Sequence, residues 1–148
     1  MAAGGGTNHR LHLADEVLIK ENHLIFLEGG GTRAEAVARA VRTARERTPA
    51  GTPICVEVES LEEFRAALAE KPDVIMLDQM SDAETATALE LRDEQGERPL
   101  IEVSGGITLE RVAGLARLGV DRISVGALTH SVPALDLSME IHPLRSSP

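Results

Sequence analysis

The sequence contains almost no aromatic residues: two Phe, no Trp and no Tyr among 148 residues. Its core must therefore be built from Ala, Val, Leu and Ile, which suits helices packed closely on buried strands. This composition favours an α/β fold over an all-β sandwich. The length is enough for one domain with one hydrophobic core, but not comfortably for two.

Cysteine and long apolar runs are also scarce. Cys55 is the only cysteine, so an internal disulfide is excluded and a reducing compartment is favoured. No apolar run approaches the ~20 residues that span a bilayer. Residues 1–13 lack the apolar segment of a signal peptide. We therefore expect a cytoplasmic protein without a membrane partner.

Basic residues are in the minority, with 15 Lys and Arg against 24 Asp and Glu and a formal net charge of −9. That charge would repel a polyanion, and no basic run is interleaved with aromatics, so we expect no nucleic-acid partner. A small anionic substrate is still compatible with this charge, because a few convergent basic groups can bind it locally.

Short β-branched runs alternate with amphipathic segments from residue 17 onward. Five apolar runs have the pattern of strands covered on both faces, and they predict strands at 17–19, 54–58, 74–77, 100–103 and 122–125. Three pairs of residues with capping-box spacing predict helix starts: Thr32 with Glu35, Ser60 with Glu63, and Ser81 with Glu84. Apolar residues at helical spacing predict a fourth helix at residues 109–118, which is followed by Gly119.

The strand–helix alternation predicts right-handed crossovers and a parallel sheet. A βα barrel and an open doubly wound sheet both satisfy the pattern. A closed barrel needs about eight βα units and about five strands are visible, so we expect a sheet that cannot close. Residues 142–148 are predicted to be a frayed tail.

Each predicted strand leads into a charged residue or a glycine turn. Reactive groups of parallel α/β folds gather at the carboxyl ends of the strands, where the loops converge. The residues at or near these ends are Lys20, Glu57, Asp78, Ser104-Gly105-Gly106 and Gly126. Glycine turns allow phosphate oxygens to approach backbone N–H groups closely, although ordinary turns would look the same.

Glu57 is the most informative of these residues. An unpaired carboxylate inside an apolar strand costs several kcal/mol unless a cation or metal compensates it. A salt bridge to a nearby Lys or Arg and a functional role are both open. Asp78 could likewise cap a turn, and Lys20 could be a solvated loop residue. Together with Asn8-His9-Arg10, Lys20 makes a basic set suited to carboxylates or phosphates.

Read together, six segments resemble the quinolinate phosphoribosyltransferases (nicotinate-nucleotide pyrophosphorylases, carboxylating). The segments, in chain order, are Gly4-Gly5-Gly6-Thr7-Asn8-His9-Arg10, Leu18-Ile19-Lys20-Glu21-Asn22-His23, Val56-Glu57-Val58-Glu59-Ser60-Leu61, Ile75-Met76-Leu77-Asp78, Ser104-Gly105-Gly106-Ile107, and Gly119-Val120-Asp121 through Ser124-Val125-Gly126-Ala127-Leu128-Thr129-His130-Ser131. The resemblance implies a partial TIM-like barrel over residues 1–141, without the family's N-terminal domain and first strands.

The resemblance also implies a reaction. The family converts quinolinate and phosphoribosyl pyrophosphate, with Mg²⁺, into nicotinate mononucleotide, pyrophosphate and CO₂ for NAD synthesis. By resemblance His9, Arg10 and Lys20 hold the quinolinate carboxylates, and Glu57 and Asp78 lie near the ribose and the magnesium pyrophosphate. The catalytic set implied is therefore Lys20, Glu57 and Asp78. The remaining implied role, binding of the 5-phosphate, falls to Ser104, Gly105, Gly126 and Ala127.

The sequence departs from the family in two positions: Gln79 stands where Asn is usual, and Glu21 where Asp is usual. The resemblance also implies dimer-based assembly, with an upstream domain that contributes further basic residues. We expect weak turnover from this chain alone. The alternatives are a catalytically incomplete partner protein, or a related barrel phosphoribosyltransferase or molybdenum-transport-associated homologue with another substrate.

Overall fold

The structure is a computed structural model that describes residues 4–27, 29–96 and 99–142. Helices and strands alternate through these ranges after a short 3-10 turn at Leu13–Asp15. In chain order the elements are β1 (Val17–Ile19), α1 (Glu21–Ile25), α2 (Arg33–Arg47), β2 (Ile54–Val58), α3 (Leu61–Ala69), β3 (Val74–Asp78), α4 (Asp82–Glu94), β4 (Leu100–Ser104), α5 (Leu109–Leu118), β5 (Arg122–Ile123) and α6 (Ala127–His130).

All strand pairs are parallel, and the spatial order β1-β2-β3-β4-β5 follows the chain. A doubly wound sheet reverses its strand order at a switch point, and these five strands do not reverse. The sheet also curls: the side chain of Arg122 on β5 lies 3.8 Å from that of Glu16, directly before β1. Sequential order with curling is the geometry of a barrel segment, so the predicted partial parallel βα barrel is confirmed.

The two faces of the sheet carry different side chains. The outer face packs on the helices and forms the main core, in which Val56, Phe64, Leu77, Ile101 and Leu115 are fully buried. The inner face carries a smaller apolar cluster. Its members are Leu18, Cys55, Val74 and Met76. The inner face also carries the charged residues Glu57, Asp78, Glu102 and Arg122, and part of the site is built from them.

Two aspartates lock neighbouring strands at their amino ends. Asp73 Oδ2 accepts a hydrogen bond from the Ile54 N–H at 2.8 Å, and Asp121 Oδ2 accepts one from the Ile101 N–H at 2.9 Å. Their backbone N–H groups donate back to the carbonyls of the same two residues. This repeated device fixes the register of β2 with β3 and of β4 with β5.

The predicted elements agree closely with the observed ones. The first two strands have the predicted bounds, β3 and β4 are each one residue longer, and β5 ends two residues earlier. The capping boxes at Thr32 and Ser81 are confirmed. Of the capping box predicted at Ser60, one hydrogen bond is present, because the Ser60 side chain accepts from the Glu63 N–H. The reciprocal bond was predicted wrongly, since the Glu63 carboxylate accepts from the Glu59 N–H and not from the Ser60 N–H.

Helices α1 and α6 were not predicted, because one or two helical turns are too short to show an apolar periodicity. Of the predicted frayed tail, residues 143–148 lie outside the described residues. None of the helices in the described ranges is long and apolar enough to cross a membrane.

Candidate active site

Three of the predicted site residues meet at the carboxyl ends of β1, β2 and β3. Lys20 immediately follows β1, Glu57 is the fourth residue of β2, and Asp78 ends β3. Lys20 Nζ lies 2.8 Å from Glu57 Oε2. Glu57 is 5% exposed, so its carboxylate requires such a cation. The salt-bridge interpretation of Glu57 is therefore correct, and its partner is a residue of the same predicted site.

The ion pair shifts the titration of its members. The hydrogen bond to Glu57 raises the pKa of Lys20, and the Glu57, Glu21 and Asp78 charges act in the same direction. Burial raises the pKa of Glu57, and this effect is larger than the lowering of the pKa by the hydrogen bond from Lys20. A hydrogen bond with Glu57 lowers the pKa of the exposed Glu21. Lys20 is thus a fixed cation, and Glu57 accepts a proton more readily than a free glutamate does.

A cluster of carboxylates surrounds this pair. Glu57, Glu59 and Asp78 each place one oxygen within 4.8 Å of the other two. Carboxylate oxygens are the ligands that Mg²⁺ prefers in proteins. The donor set therefore fits a divalent cation, with Glu59 added to the predicted pair Glu57 and Asp78.

Asp78 is held by a tight turn. Gln79 has a left-handed backbone, with φ of 54°, and its side-chain amide donates to Asp78 Oδ2 at 3.2 Å. Its backbone N–H donates to the Ser104 carbonyl at 3.0 Å. A Cβ at Gly105 would lie 2.5 Å from the Gln79 side chain and 2.7 Å from Asp78 Oδ1. Residue 105 must therefore be glycine for the Asp78 carboxylate to keep this position.

Next to the carboxylates lies an open pocket of about 540 Å³. All four residues predicted to bind phosphate line it, together with His130; the four are Ser104, Gly105, Gly126 and Ala127. The His130 ring packs over Gly126, where an added Cβ would lie 3.0 Å from Nε2. The glycine turns after β4 and β5 thus create a concave backbone surface of the kind that accepts phosphate oxygens.

The other two predicted substrate residues lie on the inner face of the sheet. His9 Nε2 is 3.3 Å from Glu102 Oε1 and its Nδ1 is 3.9 Å from Glu16 Oε1. Arg10 Nη1 donates to the Glu16 carbonyl at 3.5 Å. Within the described ranges, no hydrogen bond or ion pair joins His9 or Arg10 to Lys20. The structure brings together the predicted carboxylates and phosphate residues, but it does not bring the three predicted cations into contact.

Sequence reasoning missed four residues of the inner face. Glu102 is 1% exposed and accepts a hydrogen bond from Ser124 Oγ. It also lies 3.8 Å from Arg122, which is 3.8 Å from Glu16. The signal for Glu102 was present, since it is a carboxylate inside an apolar strand just as Glu57 is. Nothing local indicated Glu16 and Arg122, because they meet only when the sheet curls.

The described residues thus form a parallel βα barrel domain that is not closed and that places a cation–carboxylate pair beside a glycine-lined pocket. Residues 1–140 match the family "Quinolinate phosphoribosyl transferase, C-terminal domain". The chain therefore belongs to the quinolinate phosphoribosyl transferase family, through its C-terminal domain.

Individual relatives agree with this assignment. The chain is 45% identical over 138 residues to the nicotinate-nucleotide pyrophosphorylase [carboxylating] of Mycobacterium leprae, covering 93% of this chain and 46% of that protein. It is 43% identical over 142 residues to a probable enzyme of the same name from Methanocaldococcus jannaschii, covering 93% and 47%. The crystal structure of NadC from Streptococcus pyogenes superposes with a TM-score of 0.76 at 37% identity, covering 94% and 45%. The chain thus spans about half the length of the curated relatives it matches.

Proposed function

We propose that this chain supplies the C-terminal half of a site that converts quinolinate and phosphoribosyl pyrophosphate into nicotinate mononucleotide, pyrophosphate and CO₂. The observation that carries the proposal is the placement of the Lys20–Glu57 ion pair and Asp78 beside the glycine-lined pocket. A substrate with a phosphate at one end and a reacting sugar carbon at the other needs these two features side by side.

On the phosphoribosyl side, the pocket formed by Ser104, Gly105, Gly126 and Ala127 would take the 5-phosphate through backbone N–H groups. Glu57 and Asp78 would then lie near the ribose, where their negative charge stabilises an oxocarbenium-like centre as the pyrophosphate leaves. Bound Mg²⁺ would neutralise the charge of the pyrophosphate. The fixed turn at Gln79 keeps Asp78 oriented without reorganisation during the reaction.

On the pyridine side, Lys20 would bind one quinolinate carboxylate through a charge-assisted hydrogen bond. His9 and Arg10 would contribute the remaining positive charge from the inner face of the sheet. We infer that residues 1–141 form the barrel portion of a cytoplasmic, dimer-based enzyme. Turnover by this chain alone would be very weak, because the relatives have about twice its length and would supply further binding groups.

Binding measurements on the 148-residue chain test the proposal without requiring turnover. Isothermal titration calorimetry should show saturable binding of phosphoribosyl pyrophosphate in the presence of 5 mM MgCl₂. The ligand concentration is chosen for an affinity of roughly millimolar. Gly126→Ala should weaken it about tenfold, because the new Cβ presses on His130. Gly114→Ala in α5, where a Cβ meets nothing within 4 Å, is the matched control.

Substrate choice is tested by the same titration with quinolinate and with nicotinate. A dicarboxylate site should bind quinolinate more tightly, and Lys20→Met should remove that preference. Equal affinity for both ligands would favour a different substrate within the same barrel class. No binding of either the sugar phosphate or the pyridine, from a chain folded by circular dichroism, would reject the proposal.

A further inference from the structure

The inner face of the sheet holds two buried carboxylates that the proposed reaction does not use. Glu16 and Glu102, here called the interior carboxylate pair, have side chains that are 7% and 1% exposed. In the described part of the chain, Glu16 Oε1 and Glu102 Oε2 have no hydrogen-bond partner. A buried carboxylate oxygen without a partner is costly, so a native structure normally satisfies it.

The basic side chains around the pair do not reach its two unpartnered oxygens. Arg122 lies between the two carboxylates with Nη1 3.8 Å from an oxygen of each, which is too far for a hydrogen bond. His9 approaches Glu102 at 3.3 Å and Glu16 at 3.9 Å. Glu16 Oε1 is 3.9 Å from His9 Nδ1 and Glu102 Oε2 is 3.8 Å from Arg122 Nη1. In the described ranges, neither buried oxygen therefore has a donor within hydrogen-bond distance.

The position of the pair indicates which part of a closed barrel would supply a donor to these oxygens. Glu16 precedes β1 and Arg122 begins β5, and these two strands are the edges of the described sheet. The strands that would close a barrel must run between β5 and β1, with alternate side chains pointing to its interior. A Lys or Arg on such a strand would enter beside the orphan oxygens.

We propose that the interior carboxylate pair is the receptor for one Lys or Arg side chain carried by the barrel-closing strands of the region that the relatives possess and this chain does not span. The contact sets the register in which those strands dock, since a buried charge pair is lost on a shift by one residue. This inference concerns assembly and does not depend on the identity of the substrate, so binding and stability test it separately from the proposed function.

The isolated chain provides the first test, by thermal unfolding followed by circular dichroism. Glu102→Gln removes one of two neighbouring buried carboxylates and its unpartnered charged oxygen, so it should raise the unfolding midpoint by about 2–4 °C. Arg122→Gln leaves two carboxylates without a guanidinium and should lower it. Glu90→Gln, at an exposed position of α4, is the control for loss of a surface charge. A lower midpoint for Glu102→Gln would show that the pair is already balanced, and the proposal would be wrong.

Association provides the second test, with the portion of the Mycobacterium leprae relative that precedes the matched region as the binding probe. The wild-type chain should bind it, and Glu16→Gln and Glu102→Gln should each weaken binding by about tenfold or more, while Glu90→Gln does not. Each Lys and Arg of the probe is then replaced by Met, one at a time. One of these substitutions should weaken binding to the wild-type chain but not to the Glu102→Gln chain, and that residue is the partner of the pair.

Three further results would overturn the proposal. The first is no association between the two polypeptides when both are folded, and the second is association that neither Gln substitution changes. The third is another occupant of the pair. That occupant would be an inorganic cation if MgCl₂ or KCl raised the midpoint of the wild type but not of Glu102→Gln, or a second copy of the chain if sedimentation showed a dimer that Glu102→Gln dissociates.

Discussion

The ammonium of Lys20 lies 2.8 Å from the carboxylate of Glu57. This ion pair joins the carboxyl end of β1 to the carboxyl end of β2. The two partners differ in environment, because the Lys20 side chain is 46% exposed and that of Glu57 only 6%. The lysine is therefore available to a ligand while it compensates a buried charge. This double role connects the stability of the barrel segment to its proposed chemistry.

Lys20→Met should destabilise the chain, because it leaves the Glu57 carboxylate buried without its cation. We expect a loss of about 2 kcal/mol, less than for a fully buried pair because water screens the half-exposed ammonium. Urea unfolding followed by circular dichroism measures the change. Arg117→Met, at an exposed position of α5, should change stability by less than about 0.5 kcal/mol; equal losses in the two variants would contradict the pairing.

The contribution of Lys20 should also depend on pH. Its pKa in the folded chain is raised above the ordinary value of 10.5 by the hydrogen bond to Glu57. The stabilisation is therefore fully present below pH 10.5 and is lost as the pH rises through the folded pKa. The stability difference between wild type and Lys20→Met should be constant from pH 7 to about pH 10 and shrink only as the pH rises above 10.5. A difference that grew with pH in the alkaline range would contradict this assignment.

Gly105→Ala should displace Asp78 and destabilise the chain by about 2–3 kcal/mol, because the new Cβ would lie 2.5–2.8 Å from atoms of Gln79 and Asp78. Gly106→Ala is a close control. Gly106 also has a positive φ, of 59°, but a Cβ there meets nothing within 4 Å, so it should cost only about 1 kcal/mol of backbone strain. Urea unfolding gives both values, and similar losses would show that the packing at Gly105 is unimportant.

Local signals in the sequence were sufficient to predict most of the secondary structure and part of the candidate site. Strand bounds follow from the apolar runs, and the caps at Thr32 and Ser81 follow from side chains that lie three residues apart. Glu57 stood out because a carboxylate in an apolar strand requires a partner. Each of these signals lies within a few residues of the feature it predicts.

The remaining features depend on how far the sheet curls. The contact of Glu16 with Arg122 joins the two edge strands, and the position of His9 beside Glu102 depends on how the chain before β1 crosses the inner face. Neither contact has a local pattern. A turn after Asp78 was foreseen, but the left-handed backbone of Gln79 was not, because a positive φ is uncommon at a residue other than glycine, asparagine or aspartate.

Asp121→Ala should cost about 3 kcal/mol of folding free energy. Asp121 Oδ2 accepts from Arg92 Nη1 at 2.8 Å and from the Ile101 N–H at 2.9 Å, and Arg92 is only 4% exposed. Its loss leaves a buried guanidinium undercompensated and a strand N–H unpaired. Asp93→Ala removes the other, exposed partner of Arg92 and should cost about 0.5 kcal/mol. Urea unfolding would contradict this ranking if the two losses were equal.

Cys55 should be unreactive in the native chain. Its side chain is fully buried on the inner face of the sheet, and burial, with the nearby Glu16 and Glu102 charges, raises the pKa of the thiol. Because the thiolate is the reactive form, a disulfide reagent at pH 8 should modify the native chain only as fast as the sheet opens. In 8 M urea, roughly the concentration that unfolds most small domains, the same reagent should titrate one thiol per chain within minutes. Rapid stoichiometric reaction without denaturant would mean that the inner face around Leu18, Val74 and Met76 is open to solvent.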